Sequence, residues 1–409
     1  MFSLFLLPAT LALGVSAAPK VATAWYAGWH SPGQSVPSFS LADVPWDKYT
    51  HITYAFAETT PDPRELSLAS SNPDLLPEFV ATAQANGVKA KVSIGGWTGS
   101  LFWSSNIGSA QNRTLFVKTL TDFATQFDLD GLDFDWEYPG SQGIGCNTIS
   151  SDDTANFLDF LQELRADPVG AKLILSAATA ISPFADSDGN PSSDVSAFAE
   201  VLDYIEVMNY DINGPWSSAV GPNAPLKDSC APSSMQAGSA EDAVNAWNAA
   251  GMPLDQIVLG VAAYGHSFRV TKTNAFVPGS TTQLALYPPF DSSNPPVGDA
   301  WDDAAGVDEC GNSQSQGGVI DFWGLIDQGY LNADGTPKQG VPFLFDNCTR
   351  TPFVYNTTTQ VMISFDNAQS FAAKGDFIKS KGLGGFSMWE AGGDSNDILI
   401  DSIRKAAGF

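Results

Sequence analysis

Asp130-Gly131-Leu132-Asp133-Phe134-Asp135-Trp136-Glu137-Tyr138-Pro139 is the stretch on which the reading of this chain turns. Successive side chains of a β-strand face opposite sides of the sheet. A strand here gathers Asp133, Asp135 and Glu137 into one acidic row, neighbours roughly 7 Å apart, and sends Phe134, Trp136 and Tyr138 the other way. Asp130 falls outside that alternation and is expected to set up the start of the strand. Desolvating three carboxylates is costly, so folding alone gives no reason for the row. Three close carboxyls cannot all ionise cheaply, and a proton is shared among them. A carboxylic acid held protonated near neutral pH is what general acid catalysis requires. The plainer readings are a metal cluster or a structural network; no histidine stands near the row to complete a metal site.

Outward from this strand the pattern repeats. Short apolar, β-branched or aromatic runs occur at 21–29, 51–58, 89–97, 131–138, 173–180, 204–211, 257–265 and 384–389. Helical patterns fall at 75–86, 112–127, 153–165, 241–250, 370–381 and 395–405, with Ser239 as a helix start. Eight strands with helices between them predict an α/β fold, a (β/α)8 TIM barrel. The runs are apolar rather than alternating, as suits a parallel sheet covered on both faces. One interval, 267–361, breaks the rhythm; it is rich in Pro, Gly, Asn, Thr and Asp, with β-like pieces at 353–355 and 361–365. It is too long for a barrel loop and reads as a small α+β insertion domain between strands seven and eight. The barrel then comprises 18–266 and 362–409.

The chain has 409 residues and a net charge of -26, from 19 basic against 45 acidic residues. That balance excludes nucleic acid and anionic membrane surfaces as partners, since phosphate neutralisation needs clustered Lys and Arg. Positions 2–13 are apolar but too short to span a bilayer, and small residues Val15-Ser16-Ala17 follow. This reads as a signal peptide over 1–17, hence a secreted, extracellular protein. Cys146, Cys230, Cys310 and Cys348 fit an oxidising compartment. Of three pairings, Cys146–Cys230 with Cys310–Cys348 is expected, because each bridge then stays within one region of the chain. Asn112, Asn347 and Asn356 head glycosylation sequons. No metal and no cofactor are expected.

Asp130-Gly131-x-Asp133-x-Asp135-x-Glu137 resembles the signature of family 18 glycoside hydrolases, the chitinases. Lys91-Val92-Ser93-Ile94-Gly95-Gly96-Trp97 is similar to that family's third-strand SxGG motif, and Met208-Asn209-Tyr210-Asp211 to its sixth-strand MxYD motif. Phe386-Ser387-Met388-Trp389-Glu390 resembles the eighth strand, and Tyr26, Gly28 and Trp29 the first. The resemblance implies retaining, substrate-assisted hydrolysis of chitin or chito-oligosaccharides, an exception to the two-carboxylate scheme. By analogy Glu137 protonates the leaving oxygen and later activates water. Asp135 turns from Asp133 toward Glu137 and holds the substrate's acetamido group, whose carbonyl attacks the anomeric carbon to give an oxazolinium ion. Tyr210 hydrogen-bonds that carbonyl, while Asp133 and Ser93 support the proton distribution behind Asp135.

The resemblance also implies a sugar-binding set: Trp389 under the scissile sugar, Trp216 on the leaving side, Trp97 on the non-reducing side, and Tyr26, Phe56, Ser93, Met208, Asp211 and Tyr264 around the cleft. Aromatic faces suit sugars through apolar burial; the plainer reading of Trp389 is a barrel-floor core residue, and Trp103 is a weaker candidate for sugar contact, with packing alone as its other reading. His266 stands where the family often has Arg, and reads either as a titrating contact or as a structural residue between barrel and insertion. A monomer acting endo rather than exo is expected. The alternatives are a chitin-binding, lectin-like barrel, which would lack the acid that Glu137 supplies, and an endo-β-N-acetylglucosaminidase acting on N-glycans, against which Tyr210 and the insertion argue.

Overall fold

The computed structural model describes residues 21–409, so the expected signal peptide lies outside the described residues. Eight parallel strands close on themselves: β1 (Val21–Ala27), β2 (His51–Thr59), β3 (Lys89–Gly95), β4 (Gly131–Asp135), β5 (Ile174–Thr179), β6 (Tyr204–Val207), β7 (Ile257–Ala262) and β8 (Gly385–Trp389). Each pairs with its neighbours in chain order, and β1 closes the ring by pairing with both β2 and β8. The strands are buried along nearly their whole length, which explains their continuous apolar character. Helices Leu76–Ala85, Ala110–Phe127, Asp153–Ala166, Ala240–Ala249, Ala368–Lys381 and Ile398–Ala407 pack around them. Ser239 starts its helix as expected, its hydroxyl accepting from the amide of Asp242.

Two-residue alternation sorts the barrel wall. Leu132, Phe134 and Trp136 join the apolar layer between strands and helices, whereas Asp133 faces inward, where its carboxylate meets the indole of Trp25 from β1. Asp130 sits at the foot of β4, binding the Lys89 ammonium at 2.8 Å and the Ala90 amide at 3.0 Å. It therefore fixes the β3–β4 register and stays away from the row. Five expected strands ran two or more residues too far; β1 stops at Ala27 and β7 at Ala262, and three others matter for the cleft. β4 stops at Asp135, β6 at Val207 and β3 at Gly95, so Glu137, Tyr210 and Trp97 lie on the segments leaving the strands. Chain leaving a strand loses its alternation, and Tyr138 accordingly turns into the cleft rather than away from it.

The interval after β7 forms a five-stranded antiparallel sheet, ordered Val319–Asp321, Tyr264–Arg269, Val361–Ser364, Thr351–Asn356 and Phe343–Asp346. It thus starts at Tyr264 and ends at Ser364, against the expected 267–361. Its own small core holds Phe268, Val270, Phe353, Tyr355 and Met362 together with Val220 from the barrel loops.

The disulfide pairing differs from expectation. Cys146 joins Cys310 and Cys230 joins Cys348, with Cα separations of 5.5 and 6.2 Å. Chain proximity misled because the insertion folds back over the barrel mouth. Its two cysteines meet two different barrel loops, one after β4 and one after β6, rather than each other. Each bridge closes a loop of more than a hundred residues, 164 and 118 apart, and the chain-entropy effect of such a loop is about 4–5 kcal/mol. Peptide mapping without reduction is expected to recover 146 linked to 310 and 230 linked to 348; a 310–348 peptide would contradict the fold. Among the sequons, Asn347 is exposed, the Asn112 amide donates to the Ser105 carbonyl, and the Asn356 side chain accepts from Thr358 and Thr359. Among the described residues, no helix is long and apolar enough to cross a membrane.

Candidate active site

The carboxyl ends of the barrel strands surround a cleft of about 440 Å³, within the usual size range of ligand sites. Asp135, Glu137 and Tyr138 line it from the β4 side, Met208, Tyr210 and Asp211 from β6, and Phe56, Trp97 and Trp389 from β2, β3 and β8. The paired glycines after β3 make room for this convergence. Both have positive φ, 111° at Gly95 and 83° at Gly96. A Cβ on Gly95 would lie 2.2 Å from the Asp135 carbonyl oxygen, and one on Gly96 2.9 Å from the Phe56 ring. Three non-proline cis peptides, Ala55–Phe56, Glu137–Tyr138 and Trp389–Glu390, ring the same opening.

The three acids of the row occupy three environments. Asp133 is fully buried and accepts three hydrogen bonds: Ser93 and Trp25 donate to Oδ2 at 2.7 and 3.2 Å, and Ser176 donates to Oδ1 at 2.7 Å. Burial pushes its proton affinity up, but the Lys91 charge, followed by the polar side chains of Glu206, Ser176 and Ser93, outweighs it and holds Asp133 below the ordinary carboxylate range. Asp135 has no such support; Oδ1 is buried without a hydrogen-bond partner among the described residues. Burial first, then the neighbouring Glu137 and Asp133 charges, raise it well above the usual value. Glu137, at the cleft wall, is pushed up to about 7, chiefly by burial and against a lowering hydrogen bond from Tyr138. The pair Asp135 and Glu137 therefore titrates as a unit. Near neutral pH the geometry places an ionised carboxylate deepest, a protonated one above it, and a third at the cleft poised to give or take a proton.

A glycosyl hydrolases family 18 sequence model matches residues 22–394. The chain belongs to family 18 of the glycosyl hydrolases. It is 56% identical over 409 residues, 100% of this chain and 98% of the relative, to a protein of Moniliophthora roreri named chitinase-like effector. It is 29% identical to chitinase A1 of Niallia circulans, over 93% of this chain and 57% of that one. Among solved structures, a chitinase from Rhizomucor miehei superposes with a TM-score of 0.84 at 34% identity, covering 95% of this chain and all of that one.

In this family 18 barrel the aromatic residues divide. Trp389 forms the cleft floor, stacked against Phe56 at 5.5 Å and tilted against Trp25 at 5.8 Å. Trp97 and Trp216 are exposed, 47% and 63%, as a flat-faced ligand would need. Trp103 is wholly buried, packed on Trp136 and four phenylalanines, and is core. Tyr26 does not reach the cleft. Alternation along β1 sends it to the helix layer, where it packs on Tyr54 and Phe79 and donates to the Phe39 carbonyl. The inward residue is its neighbour Trp25, which sequence reading passed over. Ser93 likewise touches Asp133 and not the cleft.

Asp211 takes a left-handed backbone, φ 57°, and its amide donates to Asn223 Oδ1 at 2.9 Å. Its Oδ1 accepts from the Tyr264 hydroxyl and meets His266 Nε2, both at 2.7 Å. Tyr264 and His266 both lie on the first strand of the insertion sheet, so the two side chains anchor Asp211 from behind. His266 is buried, with Trp216 edge-on at 5.2 Å. Tyr210 keeps its hydroxyl proton well above neutrality, through burial and the nearby Asp135, and can donate it to an acceptor in the cleft. Sequence reading also missed Tyr138, Lys91 and Glu206. The signal for the last two was present: a Lys and a Glu at the inward-facing spacing of buried strands.

Proposed function

We propose that the protein is a secreted chitinase, endo-acting, that hydrolyses β-1,4 bonds between N-acetylglucosamine units with retention of configuration. The observation that carries the reading is the placement of Glu137: a carboxyl lining the cleft with its affinity pushed up to about 7, beside Asp135, whose own affinity is raised well above the usual value. Of the carboxyls lining the cleft, Asp135 leaves the same strand end two residues earlier, and Asp211 is tied to Tyr264 and His266. Neither stands free opposite Glu137, which supports a nucleophile supplied by the substrate. Glu137 donates its proton to the leaving oxygen. Asp135 turns its unpartnered oxygen to the acetamido N–H, the Tyr210 hydroxyl holds the acetamido carbonyl against the anomeric carbon, and the oxazolinium ion closes. Glu137, now a carboxylate, deprotonates the incoming water, and the chain returns to its starting state.

Digestion of the N-acetylglucosamine hexamer tests this directly. Retained β-anomers at first appearance and products of mixed length are expected; inverted products would defeat the mechanism, and release of a single length from one end would defeat endo action. Trp216→Ala is expected to raise KM for the hexamer roughly three- to tenfold, the worth of one aromatic contact, with kcat little altered. A second reading, chitin capture without cleavage, is favoured by the name chitinase-like effector of the 56% identical relative. Saturable binding of the hexamer by the wild-type protein with no products would decide for it.

A further inference from the structure

Beneath the acid row the barrel holds a buried pair with no role in the reaction as written. Lys91 on β3 and Glu206 on β6 are both completely buried, Nζ to Oε1 3.6 Å. The ammonium also donates to Ser176 Oγ at 2.7 Å, and the same hydroxyl donates to Asp133 at 2.7 Å. Neither oxygen of Glu206 has a hydrogen-bond partner among the described residues. Strand pairing explains the meeting. Ser93, Asp133, Ser176 and Tyr204 are successive register partners from β3 to β6, and Asp135, Ala178 and Glu206 form the next rung toward the cleft. One cation and two carboxyls, Asp133 and Glu206, thus share a dry volume, with Asp135 adjoining.

Uncompensated charge is the costliest thing to bury, so the group settles near neutrality. One cation balances one anion. Asp133 has three donors and Glu206 none, so the anion resides on Asp133 and the proton on Glu206. Other groups facing Lys91 add no charge: the Tyr204 ring lies 4.9 Å away, and His51, on β2, is pushed down to about 3 by burial and then by Lys91 itself.

We propose that Lys91 and Glu206 are positioning residues for the proton of Asp135: Lys91 keeps Asp133 ionised, and Glu206 stays protonated beside it, so that Asp133 is the vacant acceptor when Asp135 turns to the substrate. The proton leaves Asp135 for an oxygen of Asp133, and the negative charge appears on Asp135, where the oxazolinium ion needs it. One donating hydroxyl, Ser93 or Ser176, rotates to accept instead. Burial and the adjacent Asp133 charge raise Glu206 well above its usual value, consistent with its carrying the proton. This inference rests on the chitinase reading for its kinetic consequence but not for the placement of the proton.

Lys91→Met removes the cation at nearly constant volume, and Asp133 should then be protonated at neutral pH. With kcat read against pH, the acid limb is expected to move up by about one unit or more, and kcat to fall about tenfold with KM within about twofold. The Lys91→Met/Glu206→Gln double variant, which removes both members of the pair, is measured alongside so that the test stands if the single variant does not fold, and is expected to show the same shift. In a Glu137→Gln background, infrared spectra at neutral pH are expected to show a new protonated-carboxyl stretch on adding either Lys91 change, abolished by Asp133→Asn. A lowered melting temperature with a superimposable pH profile and no new stretch would reduce the pair to a structural role and overturn the proposal. If wild type cleaves nothing, the chitinase reading falls while the infrared comparison still decides where the proton lies.

Discussion

Glu137→Gln is expected to lower kcat for chito-oligosaccharides by about 10²–10⁴-fold, the range for loss of a positioned general acid–base, while oligomer binding stays within a few fold. Gln keeps the size and a hydrogen-bonding end but cannot give up a proton or later take one. In the proposed mechanism Glu137 serves in both halves of the reaction, so its loss slows both. The wild-type pH profile carries the same information. The acid form is required in the first step, and Glu137 is held up to about 7. Activity should therefore fall as pH rises through about 7, and that limb should be missing from the residual activity of the variant. Initial rates across pH, with binding followed by calorimetry, check both. Near-wild-type turnover in Glu137→Gln would sink the assignment.

The barrel was legible because eight buried strands leave an unmistakable apolar pattern, and the acid row because carboxylates in such a strand are expensive enough to demand a reason. What escaped is instructive. Strand termini were overrun because the residues after Asp135 and Val207 carry on an alternation of polar with apolar or aromatic side chains; only the structure shows that the strands end there, which moved Tyr138 into the cleft. Tyr26 entered through the family resemblance, and nothing local in the sequence says which of the adjacent rings of Trp25 and Tyr26 faces the axis. The bridges were mispaired because pairing follows how the insertion lies over the barrel, a tertiary fact. Lys91 and Glu206 were overlooked because each alone is an ordinary charged residue; their meaning lies in a pairing across β3, β4, β5 and β6.

Asp135→Asn is expected to cost about 10²–10³-fold in kcat, the loss typical of one group aimed at developing charge, and also to make the protein more stable at neutral pH. The two effects have one cause. Asp135 is buried, lacks a partner for Oδ1, and sits between two other carboxyls, all of which raise its proton affinity. The folded state therefore keeps a proton that the unfolded chain releases near pH 4. Between that pH and the raised native value the unfolded state binds fewer protons, so stability declines as pH climbs through the interval. An amide at the same position does not titrate, and the decline attributable to Asp135 disappears. Melting temperatures of the two proteins should converge near pH 4 and separate by pH 8, with the Asn variant higher. The same amide cannot become the anion that faces the oxazolinium ion, so rate is lost where stability is gained. A variant as fast as wild type would refute the role of Asp135 in holding the acetamido group. A variant that is slow yet no more stable at pH 8 would instead mean that the substitution perturbs packing, since Asp135 and Glu137 titrate together and relief of one must ease the other.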